Sequence, residues 1–97
     1  LKSKAVLKTE DIQYITSDGP YLEFFMTTKT SPEIDRQTLK WALNILPSDS
    51  FIQIHRSYIV NLKHVKVLKA SELILFDNTI LKVSRSFKKN IEHFKSQ

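Results

Sequence analysis

Three groups of residues in this chain carry side chains suited to chemistry, and the first is His55-Arg56-Ser57. It lies between the apolar runs Phe51-Ile52-Gln53-Ile54 and Ile59-Val60, and so reads as a short exposed turn anchored by Phe51, Ile54, Ile59, Val60 and Leu62. Arg56 presents a planar fork of donors that matches a guanine edge or a phosphate, and the other reading is an ion pair with a surface carboxylate. His55 and Asn61 are suited to satisfying backbone groups and shaping that turn. The second group is Val83-Ser84-Arg85-Ser86-Phe87-Lys88-Lys89. With Ser84 as N-cap, Arg85 would open a final helix beside free N–H groups and the positive dipole end, a place for a phosphate or a groove edge. Lys88 and Lys89 would hold flanking backbone by charge, or would simply form a solvated basic face. The third group is Ser17-Asp18-Gly19-Pro20-Tyr21, a turn that either projects Tyr21 towards a ligand or leaves it packed on a neighbouring strand.

Other chemistries are weaker on the same residues. Ser57 is two residues from His55, but a nucleophile–base pair also needs an orienting acid and an oxyanion hole, and neither has a signature. Glu10-Asp11 and Glu33/Asp35 read as solvated turns or helix starts. His55, His64 and His93 lack ligand spacing, and the absence of cysteine excludes disulfides and thiolate zinc sites while leaving the redox compartment open. Gly19 is the single glycine, which excludes glycine-rich phosphate loops. The expectation is a non-enzymatic chain without cofactor or metal. Trp41 and the Phe24-Phe25 pair are of a type that stacks on bases, but aromatic residues in small domains belong mostly to the core, and they are assigned there or to its margin.

The elements that must position these residues follow from pattern. Ala5–Leu7 and Ile12–Ile15 are short extended segments, and Tyr21–Thr28 is a strand rich in aromatic and β-branched residues. Leu39, Ala42, Leu43 and Leu46 fall on one helical face ended by Pro47. The helix starts either at Ser31-Pro32-Glu33 or, the preferred reading, with Asp35 as cap. Phe51–Ile54, Ile59–Val60, Val65/Val67, Leu73–Phe76 and Ile80–Val83 are further strands, with Asp77-Asn78 as the tight turn joining the last two. Phe87, Ile91 and Phe94 mark the buried stripe of a short terminal helix beginning at Ser84 or Ser86. The sum is one mostly β domain with about two helices (α+β) over residues 1–97.

Composition agrees with one folded unit: 41% of residues are apolar and 26% charged. The net charge of +5 lies entirely in the second half, because residues 1–48 hold equal numbers of cations and anions. Such a half fits an anionic partner, with nucleic acid ahead of a membrane surface. No stretch is long enough to span a bilayer or to serve as a signal core. The missing initial methionine fits a domain excised from a longer chain.

Together the residues resemble the LytTR DNA-binding domain of bacterial transcriptional response regulators. The resemblance runs from about residue 5 to residue 94. It is carried by Asp11-Ile12-Gln13-Tyr14-Ile15, Tyr21, Leu39…Leu43…Leu46-Pro47 and Leu81-Lys82-Val83-Ser84-Arg85-Ser86-Phe87-Lys88, and most specifically by Phe51-Ile52-Gln53-Ile54-His55-Arg56-Ser57-Tyr58-Ile59-Val60-Asn61-Leu62. It implies an elongated fold of about ten short strands that enters successive major grooves with loops. It assigns DNA contact to Tyr21, Arg56 and Arg85, with Lys63, Lys66, Lys88 and Lys89 on phosphates. It also implies a cytoplasmic protein with a phosphorylatable receiver domain, paired direct repeats as target, and dimerisation on DNA. Two positions depart from the pattern: Asn78-Thr79 stands in place of Asn-Gly, and Ser31-Pro32-Glu33 occupies the place of a short strand. The competing classes are a protein-interaction module using the basic half and a single-stranded RNA binder using the aromatic strand at 21–25.

Overall fold

Short β-branched and aromatic runs, broken by Gly, Pro, Asn and Asp, fold into two antiparallel sheets. The computed structural model describes residues 8–95, and their side chains as far as His93. The Ala5–Leu7 segment and the Phe94 side chain lie outside the described residues. Strands β1 (Ile12–Asp18), β2 (Tyr21–Met26), β3 (Glu33–Asp35), β4 (Phe51–His55) and β5 (Tyr58–Asn61) form one sheet in the order β3-β2-β1-β5-β4. Strands β6 (Val65–Leu68), β7 (Glu72–Leu75) and β8 (Ile80–Lys82) form the other in chain order. Helix α1 (Leu39–Ile45) joins β3 to β4, and α2 (Lys88–Lys95) follows a single 3₁₀ turn, Arg85–Phe87. The fold is mostly β as expected, with eight strands among the described residues where the resemblance implied about ten. It measures 37 × 25 × 23 Å, elongated along one axis.

The larger sheet is buried on both faces, and this explains the near-continuous apolar character of residues 51–62. Phe51 and Ile59 point into one core with Ile12, Ile15, Leu22, Phe24, Met26, Ala42 and Leu46, beneath α1. Ile52, Ile54 and Val60 point the other way and pack against Leu73, Leu75, Leu81, Val83 and Ile91 of the smaller sheet and α2. Ile12 and Ile15 are three apart and would face opposite sides of a regular strand. A register shift between Ile12 and Tyr14 turns both into the same core. Trp41, Leu39 and Leu43 pack at the margin of that core. The outer edge of β4 is covered: Asn90 Nδ2 donates to the Gln53 carbonyl at 2.8 Å, and the Ser84 N–H donates to the Ile54 carbonyl at 2.9 Å.

The helix begins later than expected. Asp35 is not its cap, because Asp35 pairs with Leu22 as the end of β3, the short strand implied by the resemblance. Thr38 caps α1 instead, its hydroxyl accepting from the Trp41 N–H at 3.1 Å. Replacing Thr38 by alanine leaves that donor unpaired and is expected to cost about 1 kcal/mol by chemical denaturation. An unchanged midpoint would show that the cap contributes nothing. The final helix also differs, since Ser84 flanks the 3₁₀ turn without making a side-chain cap, and its Oγ is buried without a hydrogen-bond partner. Strand β7 stops at Leu75, one residue short of the expected end, and leaves Phe76 exposed. The turn after it closes without glycine: Asn78 takes φ 72°, and Asp77 Oδ1 accepts from the Thr79 N–H at 3.0 Å.

The seam between the sheets is polar at this turn. Gln13 Nε2 donates to Asp77 at 3.2 Å, and Lys66 Nζ donates to Asn78 Oδ1 at 2.6 Å. Hydrogen bonds from Thr79 hold the Asp77 carboxyl below the ordinary carboxylate range. Burial, and next the Asp77 charge, push the Tyr14 hydroxyl up.

Candidate nucleic-acid interface

Strand pairing brings the first of the three groups beside the third. Thr16 lies opposite Tyr58, and the Ser17 N–H donates to the Ser57 carbonyl at 3.0 Å, so the β1–β2 and β4–β5 hairpin tips stand at the same end of the larger sheet. The Ser84–Ile54 hydrogen bond places the segment leading into α2 beside the last residues of β4. Arg85 therefore stands at that end too, as does the first turn of α2 with Lys88 and Lys89. Residues far apart in sequence, from Ser17 to Lys89, thus come to one end of the domain.

Each tip is held by local geometry. Gly19 takes φ 57°, a left-handed conformation that other residues adopt only with strain, and so lets the chain reverse before Tyr21. His55 Nδ1 accepts from the Ser57 N–H at 3.1 Å, and its ring stacks on Tyr58 with centroids 4.5 Å apart. This clamps the turn on both sides of Arg56. Asn61 acts elsewhere. It is buried at the opposite end of β5, where Nδ2 donates to the Ile12 carbonyl at 3.0 Å and Oδ1 accepts from the Lys63 N–H at 3.1 Å. It shapes the β5–β6 connection, whereas the sequence reading had placed it in the His-Arg-Ser turn.

The guanidiniums of Arg56 and Arg85 are exposed, and among the described residues neither forms an ion pair with a carboxylate. The surface-pair reading of Arg56 is thus not what the structure contains. Tyr21 is 44% exposed at its tip. Lys89 is exposed, and Lys88 is half-buried in a recess with Lys69, Ile91 and Glu92. Lys63 is not brought to this end. It stands beyond Asn61, the length of β5 away from the Arg56 turn and close to Thr9, Glu10 and Pro47. Lys66 lies in the smaller sheet, bonded to Asn78.

Arg36 was missed by the sequence reading. Its guanidinium carbon sits 6.0 Å from the centre of the Tyr21 ring. It lines a cleft of about 520 Å³ with Ser17, Gly19, Pro20, Thr38 and Arg56. The signal was the helix start. A helix capped at Asp35 carries Arg36 in its first turn, whereas a cap at Thr38 leaves Arg36 in the loop facing the hairpin tips.

In strand 21–25 the aromatic residues are divided among different surroundings, with Tyr21 exposed at the tip. Phe24 is buried, and Phe25 stacks on Tyr14 with ring centres 4.4 Å apart and planes 4° from parallel. No described helix is long and apolar enough to cross a membrane.

A comparison with curated proteins finds no match. Among solved structures, the fold is similar to one described as the LytTr DNA-binding domain of a response regulator from Bacillus cereus. The two share 22% sequence identity, and the alignment covers 94% of this chain and 86% of that one with a TM-score of 0.80. A family model of the LytTr DNA-binding domain matches residues 2–95. That match spans nearly the whole sequence, and the chain belongs to the LytTR DNA-binding domain family.

Proposed function

We propose that this chain binds double-stranded DNA sequence-specifically, as the output domain of a bacterial two-component response regulator that controls transcription. Arg56 and Arg85 read base edges, Tyr21 contacts the duplex from the β1–β2 tip, and Lys88 and Lys89 meet phosphates. The observation that carries this reading is the convergence of three loop segments, each bearing an exposed polar side chain, at one end of a rigid sheet. Arginine forks without carboxylate partners are free to engage guanine bidentately, and a rigid scaffold fixes where they point.

The loops are spread along the end of the larger sheet. In the order β3-β2-β1-β5-β4, the Tyr21 tip and the Arg85 segment flank β1 and β5. Three inter-strand spacings at about 4.8 Å separate β2 from β4 by roughly 14 Å. Successive major grooves on one face of a duplex lie roughly 34 Å apart, a distance that the 37 Å long axis of the domain can span. We infer insertion into successive major grooves, with paired direct repeats as target, two copies meeting on DNA, and a receiver domain elsewhere in a cytoplasmic full-length protein.

Binding-site selection from a random duplex pool tests the reading. One enriched motif is expected, and the absence of any motif, with binding that merely fades as salt rises, would overturn it. Lys63 supplies an internal control. Because it stands away from the proposed surface, Lys63→Ala is expected to change affinity for the selected duplex less than about twofold, against roughly tenfold or more for a base-reading arginine. A loss at Lys63 as large as that at Arg56 would mean that the contact surface has been put at the wrong end.

A further inference from the structure

We propose that Arg36 is a DNA-backbone contact, and that the cleft it shares with Arg56 seats a phosphodiester of the duplex. The inference rests on the DNA-binding reading above and adds to it a residue beyond Tyr21, Arg56 and Arg85. Arg36 is exposed in the short link between β3 and α1, beside the exposed ring of Tyr21. On the other wall stands Arg56, and no carboxylate lines the cleft between them. Arginine stays charged at any pH that a folded protein tolerates, so two guanidiniums in one acid-free recess repel each other until an anion enters.

The recess is open to such a group. Gly19 has no side chain to fill it, and a Cβ built there would meet nothing within 4 Å. Ser17 and Thr38 line it, and the Thr38 oxygen that accepts from Trp41 keeps its own proton to donate. The Arg36 guanidinium lies over the Tyr21 ring at 6.0 Å, a cation–π distance that leaves its N–H fork free to bond an anion. The chemistry on offer is therefore the Arg36 fork with a hydroxyl donor beside it and the Arg56 charge close by, which suits a phosphate oxygen pair while leaving the Arg56 fork to the bases. Such a contact fixes the register of the duplex against Arg56 and Tyr21 and carries no sequence information itself.

Affinities of wild type, Arg36→Ala and Arg36→Lys would be measured for the selected duplex and for an unrelated duplex of equal length, between about 50 and 200 mM salt. Arg36→Ala should weaken binding to both duplexes by a similar factor, about tenfold, and should reduce the salt slope by about 0.9, the share of one phosphate. Arg36→Lys should keep most of that slope. On duplexes carrying one neutral methylphosphonate, wild type should fall to the level of Arg36→Ala at a single position, where the variant itself falls no further. Three results overturn the proposal while leaving the DNA-binding face standing. The first is an Arg36→Ala protein within twofold of wild type while Arg56→Ala loses affinity. The second is a loss confined to the selected duplex, which makes Arg36 a base reader. The third is a loss with an unchanged salt slope, which makes it a positioning residue for Tyr21. If Arg36→Ala, Arg56→Ala and Arg85→Ala all bind both duplexes like wild type, the face itself has been wrongly assigned.

Discussion

Alanine at both Arg56 and Arg85 is expected to lower affinity for the selected duplex by about two orders of magnitude or more, while leaving the thermal midpoint nearly unchanged. Each bidentate arginine–base contact contributes about 1–3 kcal/mol of discrimination. Both guanidiniums are exposed and neither belongs to a core cluster, so their removal takes no packing away. The single variants should differ in kind. Arg56 sits at the tip of the β4–β5 hairpin and Arg85 in the 3₁₀ turn ahead of α2, so each should relax preference at a different base of the selected site. Binding to an unrelated duplex should fall much less than binding to the selected one. Equal losses on both duplexes would mean that the two arginines serve as phosphate contacts and that specificity comes from elsewhere, such as duplex shape.

The largest effect on stability is expected at Asn61. Its side chain is 1% exposed and bonds both the Ile12 carbonyl, 49 positions away in sequence, and the nearby Lys63 N–H. Asn61→Leu keeps the heavy-atom count and branching but removes both hydrogen bonds, and it leaves the buried Ile12 carbonyl and the part-buried Lys63 N–H without those partners. At about 1–3 kcal/mol for the buried carbonyl and about 1 kcal/mol for the N–H, which water can reach, the variant should lose roughly 2–4 kcal/mol. For a domain of this size that corresponds to a fall in Tm of roughly 10–20 °C. DNA affinity measured well below that temperature should stay within about threefold of wild type, because the Arg56 turn lies at the other end of β5 and is clamped by His55. A Tm within about 3 °C of wild type would show that water replaces both bonds at little cost. A large affinity loss in the folded protein would instead tie this end of the domain to DNA.

These expectations place the three kinds of site residue on different footings. In the proposed reading, Arg56 and Arg85 act through what they reach outside the protein, and the fold only aims them. Asn61 and His55 act inward, one fixing how β5 leaves the sheet and the other fixing how it enters. Arg36 stands between these roles, over the Tyr21 ring and facing the same cleft as Arg56.

Much of this molecule is legible without coordinates, and the reason is that the legible features are local. The strands at 12–15, 21–26, 51–54 and 80–82 announce themselves by β-branched and aromatic runs, since a half-buried pleated surface selects such residues whatever their partner. The His-Arg-Ser turn is visible because polar residues interrupt an apolar run that must otherwise stay buried. The end of α1 before Pro47 and the left-handed Asn78 follow from backbone sterics within a few residues. What the tertiary structure alone decides is non-local. Asp35 could have capped a helix, but pairing with Leu22 across the β2–β3 register makes it a strand residue and moves the cap to Thr38. That shift in turn frees Arg36 to face Tyr21. The basic excess of the second half has no direction in sequence. The strand order sends Arg56 and Arg85 to one end of the sheet and Lys63 to the other, and Arg36 from the neutral half joins the first group. Periodicity encodes which face of a strand is buried, whereas the neighbours of a strand depend on pairing energies summed over the whole sheet, and those settle which charges meet.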